Sequence, residues 1–588
     1  MAADPEATPD VADEQPVACK AATMKYWFKK GPPAPGWGEN YFSVKCNFCP
    51  QVYKHKKGNG YGNYGRHIES KHLEKLGLAK GQTQLSGYAT TSSHSPGLWS
   101  YDYASCSDNF AEMIAAEGLA YNFAQRLCFN EFITENVQPA WQSMSRNTVK
   151  RKMIKRYNTR KAELVEYFQK HSDLHVSICS DIWTDHWQHH SYMGVTCHWV
   201  DERFVLHKRV LGFRVFDEAH TARNIAAVLL RVLQEYRLTQ RVFSIGFDNA
   251  SANTASIPEL TQYCQPGIGG RFFHIRCAPH ILNLCVQDGL TYLQQITEPI
   301  RYVLRALWRS KQLRHQWHQF CRSNNIRPKN FPRDVSTRWN STYKMIFDSY
   351  QYRELLSAFA TQNIEGSNVF GDVWVVARDI IEVFKVFHDA TETFSHAYIP
   401  TSSVFCFVAM NIAIALQDGL QVECISDAVR TMREKWLSFY KVIPDIFLVG
   451  CCFDPRYKLT GLQKFLENYF PTLGVEDDPD CNVSIIVARV RGILEALYTH
   501  FSTGARAPNI PPPTSSTSSG SSRTSITART KALARDIFGT KRSRSSSSPH
   551  SELDEYLSTN FEFRNDEDED FDILEWWGRV ERQRFPTL

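Results

Sequence analysis

Apolar positions change period along the chain, and each change predicts a different kind of element. From about Asn109 to Lys170 the spacing is helical, with charged residues in the gaps. Ser145 opens one such helix (SRNTVKRKMIKRY) and offers its hydroxyl as an N-cap. Near His175 the period drops to two. VSICSDIW, SYMGVTCHWV and RFVLHKRVLGFRVF alternate and are rich in Val, Phe and Tyr, which predicts three strands joined by short turns. Asn224 to Arg237 predicts a helix, RVFSIGFDN a fourth strand, and RFFHIRCAPHILNLCVQDGL a short strand running into a helix. The expected order is therefore strand, strand, strand, helix, strand, helix, strand, helix. From Leu290 to about Tyr498 the period is mostly helical, with long amphipathic runs at Val373 to Phe394 and Val422 to Tyr440. The longest strongly apolar run, Val404 to Leu416, falls short of the roughly 20 residues that a membrane helix needs, so no membrane partner is expected. No repeat at a solenoid period is visible.

Polar stretches punctuate this pattern. Residues 1–18 carry five acids and no Lys or Arg, which predicts a disordered tail without a secretory signal. Residues 20–80 carry twelve Lys/Arg against three acids, with Gly and aromatics interleaved: a small basic module. Gly81 to Pro96 reads as a linker. Pro511–Pro513 opens a Ser-rich segment that ends near His550 and holds the basic patch Lys541, Arg542 and Arg544. Beyond it lie SELDEYLS, the acidic cluster Asp566 to Asp570, and FDILEWWGRVERQRFPTL. At 588 residues the length prior is about four units at roughly 150 residues each. An apolar share of 43% excludes a wholly disordered chain. The net charge of +5 is modest, so its distribution matters more than its total. The 16 cysteines show no disulfide framework and are free to bind metal.

Two constellations carry chemistry. Cys46 and Cys49 form a Cys-x2-Cys knuckle, followed by His67 and then His72, a spacing that can complete a tetrahedral N2S2 zinc site. His55 is a rival ligand with poor spacing. Tyr26, Trp27, Phe28 and Tyr41 would pack the small core, with the metal supplying part of the folding energy. Lys29, Lys30, Lys45, Lys54, Lys56, Lys57, Arg66 and Lys71 would neutralise phosphates, which makes double-stranded DNA the expected partner. A solvated lysine face or a protein-binding finger is the plainer alternative. The module, over residues 22–75, resembles the BED-type zinc finger.

The second constellation is a pair of carboxylates. Asp181 follows the alternating strand VSICS, and Asp248 follows RVFSIGF, so each is expected where a central strand ends. Two such carboxylates can share Mg2+ for phosphodiester chemistry. An Asp after a strand is more often a turn residue or a helix cap, and Asp185 is a lesser candidate because it falls in the turn. The predicted element order is that of an RNase H-like fold.

SDIWTD, SIGFDNASAN, RCAPHILNLCVQDGL and STRWNSTYKM occur in the order found in the hAT transposase superfamily, above all in its plant Activator-like and RICESLEEPER-like members. MREKWLSFYKVIPDIFLVGCCFDPRYKL, ELDEYLS and FDILEWWGRVERQRFPTL extend the resemblance to residues 22–588. It implies an α/β architecture: a BED finger, then an RNase H-like core interrupted by a large all-helical insertion. The expected division is 1–21 disordered tail, 22–75 finger, 76–108 linker, 109–172 helical region, 173–290 first part of the core, 291–400 helical insertion, 401–505 associated helical region, 506–550 disordered Ser-rich segment and 551–588 dimerisation region. By the same resemblance Asp181 and Asp248 match the first two catalytic acids and Cys277 and His280 a Cys-x2-His element. Arg338 and Trp339 match an Arg-Trp element whose indole stacks on a flipped base, although a packed Trp at a helix start serves the residue chemistry equally well. The family's third acid is a Glu beyond the Trp-Trp block. Here Trp576–Trp577 is followed by eleven residues ending at Leu588, and Glu575 precedes the expected helix. The resemblance thus leads us to expect a truncated transposase relative: a nuclear, zinc-dependent DNA-binding protein without cleavage activity and with a weakened homodimer contact. The alternatives are an active or trans-complemented transposase using Mg2+, and an interaction scaffold built on Ile573, Leu574, Trp576 and Trp577.

Overall fold

The computed structural model describes residues 28–31, 41–56, 64, 67, 68, 71, 72, 101–502 (apart from 186, 188, 336, 337, 368–370, 397 and 398), 551–559, 561, 571–578, 584 and 585. The expected acidic tail, most of the linker and the Ser-rich segment lie outside the described residues, as do Asp566 to Asp570. The chain divides into two compact units, one holding the amino-terminal module and the other the larger sheet and the helices.

In the first unit three short strands form an antiparallel meander: β1 (Phe28–Gly31), β2 (Tyr41–Cys46) and β3 (Val52–Lys56). One face is apolar. Phe28, Val44, Cys46, Tyr64 and Ile68 make its buried core, with Phe42, Phe48, Cys49 and Tyr53 packed against it. Among the described residues this apolar core is small, and small modules commonly need a staple.

The larger unit contains a five-stranded sheet in the order β6-β5-β4-β7-β8. Its strands are β4 (Val176–Asp185), β5 (His190–Val200), β6 (Leu206–Val215), β7 (Val242–Phe247) and β8 (His274–Arg276). β4, β5 and β6 pair antiparallel, and β4–β7 and β7–β8 pair parallel. Helices between β6 and β7 (Ala222–Glu235) and between β7 and β8 (Ser251–Cys264) make the crossovers that parallel neighbours require. This is the RNase H-like order that the alternating blocks predict. The helix Ala222–Glu235 buries Ile225, Ala226, Leu229, Val232 and Leu233 as one stripe, and its N-cap Thr221 accepts from the Asn224 backbone N–H. The long helix Arg146–Lys170 starts as expected, with Ser145 accepting from Thr148 N–H at 3.1 Å. Its C-terminal end is tied to the sheet by Arg241, whose guanidinium donates to the carbonyls of Phe168, His171 and Leu174.

Alternation along β4 buries Val176, Ile178 and Ser180 and exposes Cys179, Asp181 and Trp183. The exposed face carries a ladder of rings: Trp183 lies 6.1 Å from Tyr192 and 5.5 Å from Phe213, and Tyr192 stacks on Phe213 at 5.1 Å.

The expected boundaries at 290 and 400 do not separate cores. Ile281, Leu282, Cys285 and Val286 of the helix Ala278–Leu290 lie in the same hydrophobic core as Phe384, Leu416, Trp436, Tyr469 and Leu494. The physical reason is close helix packing. A Cβ at Gly289 would come within 2.5 Å of Met432 Cγ on the helix Ser426–Tyr440, so only Gly admits this approach. Trp436 stands at the centre, fully buried, and donates from Nε1 to the Tyr469 hydroxyl at 2.8 Å. None of the described helices is by itself long and apolar enough to cross a membrane, and the run Val404 to Leu416 lies largely within the buried helix Phe405–Leu420.

The carboxy-terminal cluster packs on its own chain. Trp577 is buried, donates to the Phe453 carbonyl at 3.0 Å and packs on Tyr556, whose hydroxyl donates to the Cys452 carbonyl at 2.9 Å. The Trp pair is therefore spent on its own chain rather than presented as an open patch, because Phe453 and Tyr556 already offer it an aromatic partner and a carbonyl. Replacing Trp436 by Ala removes the central indole and leaves a cavity. It should cost about 3–5 kcal/mol and lower the thermal midpoint of the helical body in calorimetry.

Candidate metal centre and nucleic-acid interface

Cys46 is the last residue of β2, and its N–H donates to the Gln51 carbonyl at 3.0 Å, closing a tight turn before β3. The Phe48 N–H points at Cys46 Sγ from 3.5 Å. The turn thus brings Cys49 beside Cys46. His67 and His72 arrive from the segment after β3, where the His72 N–H donates to the Ile68 carbonyl. The four donor atoms lie within 4.8 Å of one another. Cys46 Sγ is 3.3 Å from His72 Nε2, Cys49 Sγ is 3.3 Å from His67 Nε2, and the two Nε2 atoms are 3.2 Å apart. A tetrahedron with Zn–S of about 2.3 Å and Zn–N of about 2.0–2.1 Å has edges of roughly 3.3–3.8 Å, so the donor set fits zinc. Burial, then the neighbouring His72 and Lys71, hold the His67 imidazole below its ordinary value, which favours the neutral form a metal needs. His55, the rival ligand, is engaged elsewhere: its Nδ1 is 2.6 Å from the Tyr64 hydroxyl and its ring packs on Phe42.

The register of the meander sorts the module's lysines. Lys29 pairs with Lys45, Lys45 with Val52, Ser43 with Lys54, and Tyr41 with Lys56. Lys29, Lys45, Lys54 and Lys56 therefore share the face away from the core, and all four are exposed. Lys54 Nζ lies 4.4 Å over the Tyr41 ring. Directly opposed like charges destabilise a sheet, so Lys29 against Lys45 costs stability in the free protein. Sequence reading includes Lys29 and Lys45 among the basic residues but cannot see that they face each other; the period-two alternation of β2 is the signal for it. Lys71 is exposed beside His72, whereas Lys57 and Arg66 lie outside the described residues.

In the larger unit Asp181 lies inside β4, not at its end. β4 continues to Asp185 in its pairing with β5, whereas its parallel pairing with β7 stops at Cys179 opposite Gly246. Asp181 stands just past that point, and Asp248 just past the end of β7. Although Asp181 is exposed to solvent, partial desolvation of its carboxyl raises it above its ordinary value, and the Asp248 carboxylate pushes it the same way, against the Ile182 backbone and His280. Asp248 Oδ1 accepts from the Ala250 N–H at 2.9 Å and from Asn253 Nδ2 at 2.5 Å. It thus makes the turn before the helix Ser251–Cys264 without capping it, and Asn253, which sequence reading overlooks, orients it. Spacing within DNASAN is the only trace. Cys277 sits in the field of Asp181 and Asp248 at the start of the helix Ala278–Leu290. Asp185 serves the hairpin turn, accepting from Trp187 N–H at 2.9 Å. Among the described residues Asp181 and Asp248 gather no third His, Cys, Asp or Glu into a cation-sized cluster.

Arg338 is exposed, but Trp339 is only 2% exposed and packs on Tyr343 and Phe384. In this conformation the indole has no free face for a base, because the first turn of the helix Trp339–Gln351 points it into the core.

The Cys2His2 module and the RNase H-like sheet with its two adjoining carboxylates are the features on which likeness to known proteins can be judged. Residues 179–266 match the ZBED1 RNase-like domain, and residues 275–382 match the ZBED1 RNase-like helical domain. The chain is 26% identical to the putative AC transposase of Zea mays, over 97% of this chain and 70% of that protein. It is 23% identical to the zinc finger BED domain-containing protein RICESLEEPER 2 of Oryza sativa subsp. japonica, over 92% and 78%. It is 20% identical to the zinc finger BED domain-containing protein DAYSLEEPER of Arabidopsis thaliana, over 92% and 77%. Its homologues are thus plant hAT transposases and BED zinc-finger proteins.

Two outcomes follow from this geometry. Purified protein should carry one zinc per chain by elemental analysis, and Cys49→Ser should remove it. For Asp181 the folded-state value exceeds the ordinary 3.8, so its charged form opposes folding above that pH. Asp181→Asn should raise the thermal midpoint at pH 7, with the gain shrinking as the pH falls towards 3.8.

Proposed function

We propose that this protein is a zinc-dependent, duplex-DNA-binding nuclear protein built on a transposase scaffold, with a core that does not cut DNA unaided. The observation that carries the reading is the lysine face of the meander. Lys29, Lys45, Lys54 and Lys56 sit on one surface, two of them directly opposed, above a fold whose core is anchored by the Cys46–Cys49–His67–His72 tetrad. Such a surface is costly alone and is relieved by a line of phosphates. Zinc held by those four residues would fix the strands and so the spacing of the lysines. Lys71 and, by sequence, Lys57 and Arg66 extend the positive field.

The absence of unaided cleavage is the finer part of the reading. Asp181 and Asp248 adjoin and could together ligate one Mg2+ through carboxylate oxygens. A pair of carboxylates alone holds such an ion weakly. Among the described residues these two gather no third His, Cys, Asp or Glu within reach of a shared cation, which supports this reading. Nuclear residence is part of the same proposal and draws on DNA binding and on the Lys541, Arg542 and Arg544 patch.

Fluorescence anisotropy on duplex DNA tests the proposal. Binding should fall with salt, and a strong chelator or Cys49→Ser should weaken it at least tenfold. Lys45→Gln with Lys54→Gln should flatten the log–log salt dependence by about 2, since each phosphate contact contributes about 0.9. Binding that survives zinc removal unchanged would refute the finger's role. Strand scission dependent on Mg2+ or Mn2+ and abolished by Asp181→Asn would refute the inactive core.

A further inference from the structure

Between residues 309 and 333 the chain carries seven Lys/Arg, two His and no Asp or Glu, in a protein whose formal net charge is +5. The helix Lys311–Ser323 displays this excess in order. Its Leu313, Trp317, Phe320 and Cys321 pack into the main core. Lys311, His315, His318 and Arg322 recur at i, i+4, i+7 and i+11 and so share one face, on which Lys311, His315 and Arg322 are exposed. His318 Nε2 lies 3.0 Å from Asn330 Oδ1, and Trp317 Nε1 donates to the Lys329 carbonyl at 3.1 Å. These contacts join the stripe to the segment from Arg327 to Arg333. Arg314, held by the carbonyls of Leu307 and Trp308, lines a cleft there with Lys329, Asn330 and Arg333.

Solvated helices ordinarily interleave opposite charges at i, i+4. Here the nearby acids are already committed: Glu298 to Arg301 and Arg305, Asp334 to Arg301, and Asp348 to Lys329. Arg309, Lys311, Arg322, Arg327 and Arg333 have no carboxylate within 4.0 Å among the described residues. The resulting self-repulsion is a standing cost that an anionic partner would relieve.

We propose that this face of the helical body binds the phosphate backbone of duplex DNA, as a second contact separate from the zinc module. A 13-residue helix spans roughly 20 Å, and duplex DNA offers one charge per 1.7 Å or so along its axis, so a stripe of this length meets several phosphates. The apolar side of the helix is buried in the core, so insertion into a lipid surface is not available to it. The side chains involved are cations without stacking partners among them, which points to backbone contact without base readout.

The test uses the full-length chain, a 40-base-pair duplex of mixed sequence and a salt series read by anisotropy. The quadruple variant Lys311→Gln, Arg322→Gln, Arg327→Gln, Arg333→Gln should bind ten- to a hundredfold more weakly, with a salt slope shallower by about 2–4. Cys49→Ser should keep a salt-steep residual binding that the combined variant loses. Parental affinity and slope in the quadruple variant, at an unchanged thermal midpoint, would overturn the proposal whatever Cys49→Ser does. So would unchanged duplex binding together with lost binding to phosphatidylserine vesicles. If Cys49→Ser is silent while the quadruple variant loses affinity, the zinc module's role falls and this surface stands.

Discussion

A single strand sets the geometry of the larger unit. β4 runs antiparallel to β5 on one side and parallel to β7 on the other, and the two pairings do not end together. Antiparallel pairing continues for six residues past the last parallel pair, from Ser180 to Asp185. Strand ends in open α/β sheets are where polar groups can converge from several segments. Where the parallel neighbour stops, Asp181, Asp248 and the Cys277–His280 turn come within electrostatic range of one another.

Charge placement follows a different logic in each unit. Where β4 outruns β7 two carboxylates adjoin, and the Asp248 carboxylate opposes ionisation of Asp181. On the meander four lysines share a face, and two oppose each other across a ladder. Neither arrangement helps the free protein fold. Both are the kind of local conflict that persists where something outside the chain resolves it. Elsewhere opposite charges meet: buried Asp454 is held by Arg456 at 2.7 Å.

Much of this was legible before any coordinates. The switch from period two to period 3.6 marks the sheet and its crossovers, since β strands with one polar face must alternate. The Cys-x2-Cys and His spacing gives the tetrad, because the ligand geometry of zinc constrains loop lengths. What escaped the sequence was tertiary. For Trp339 residue chemistry leaves base stacking and core packing equally open, and for Trp577 an exposed patch is one alternative; the tertiary partners Phe384 and Phe453 give each indole a packed place. Domain edges at 290 and 400 fall at changes of composition, but Gly289 lets two helices approach across them. Asn253 acts only through a hydrogen bond to Asp248 and leaves no motif of its own.

Tyr556, Thr559, Phe561 and Trp577 return to the segment Cys452–Lys458, which bears on biosynthesis. Lys458 donates to the Thr559 carbonyl and lies 4.1 Å over Phe561, so partners about a hundred residues apart complete one cluster. A ribosome adding about 5–20 residues per second needs on the order of 5–20 s to supply the missing half. Throughout that interval Phe453 and the buried ammonium of Lys458 lack their covering. The nascent helical body must then wait, with an aromatic cradle open, for Tyr556, Phe561 and Trp577 to emerge.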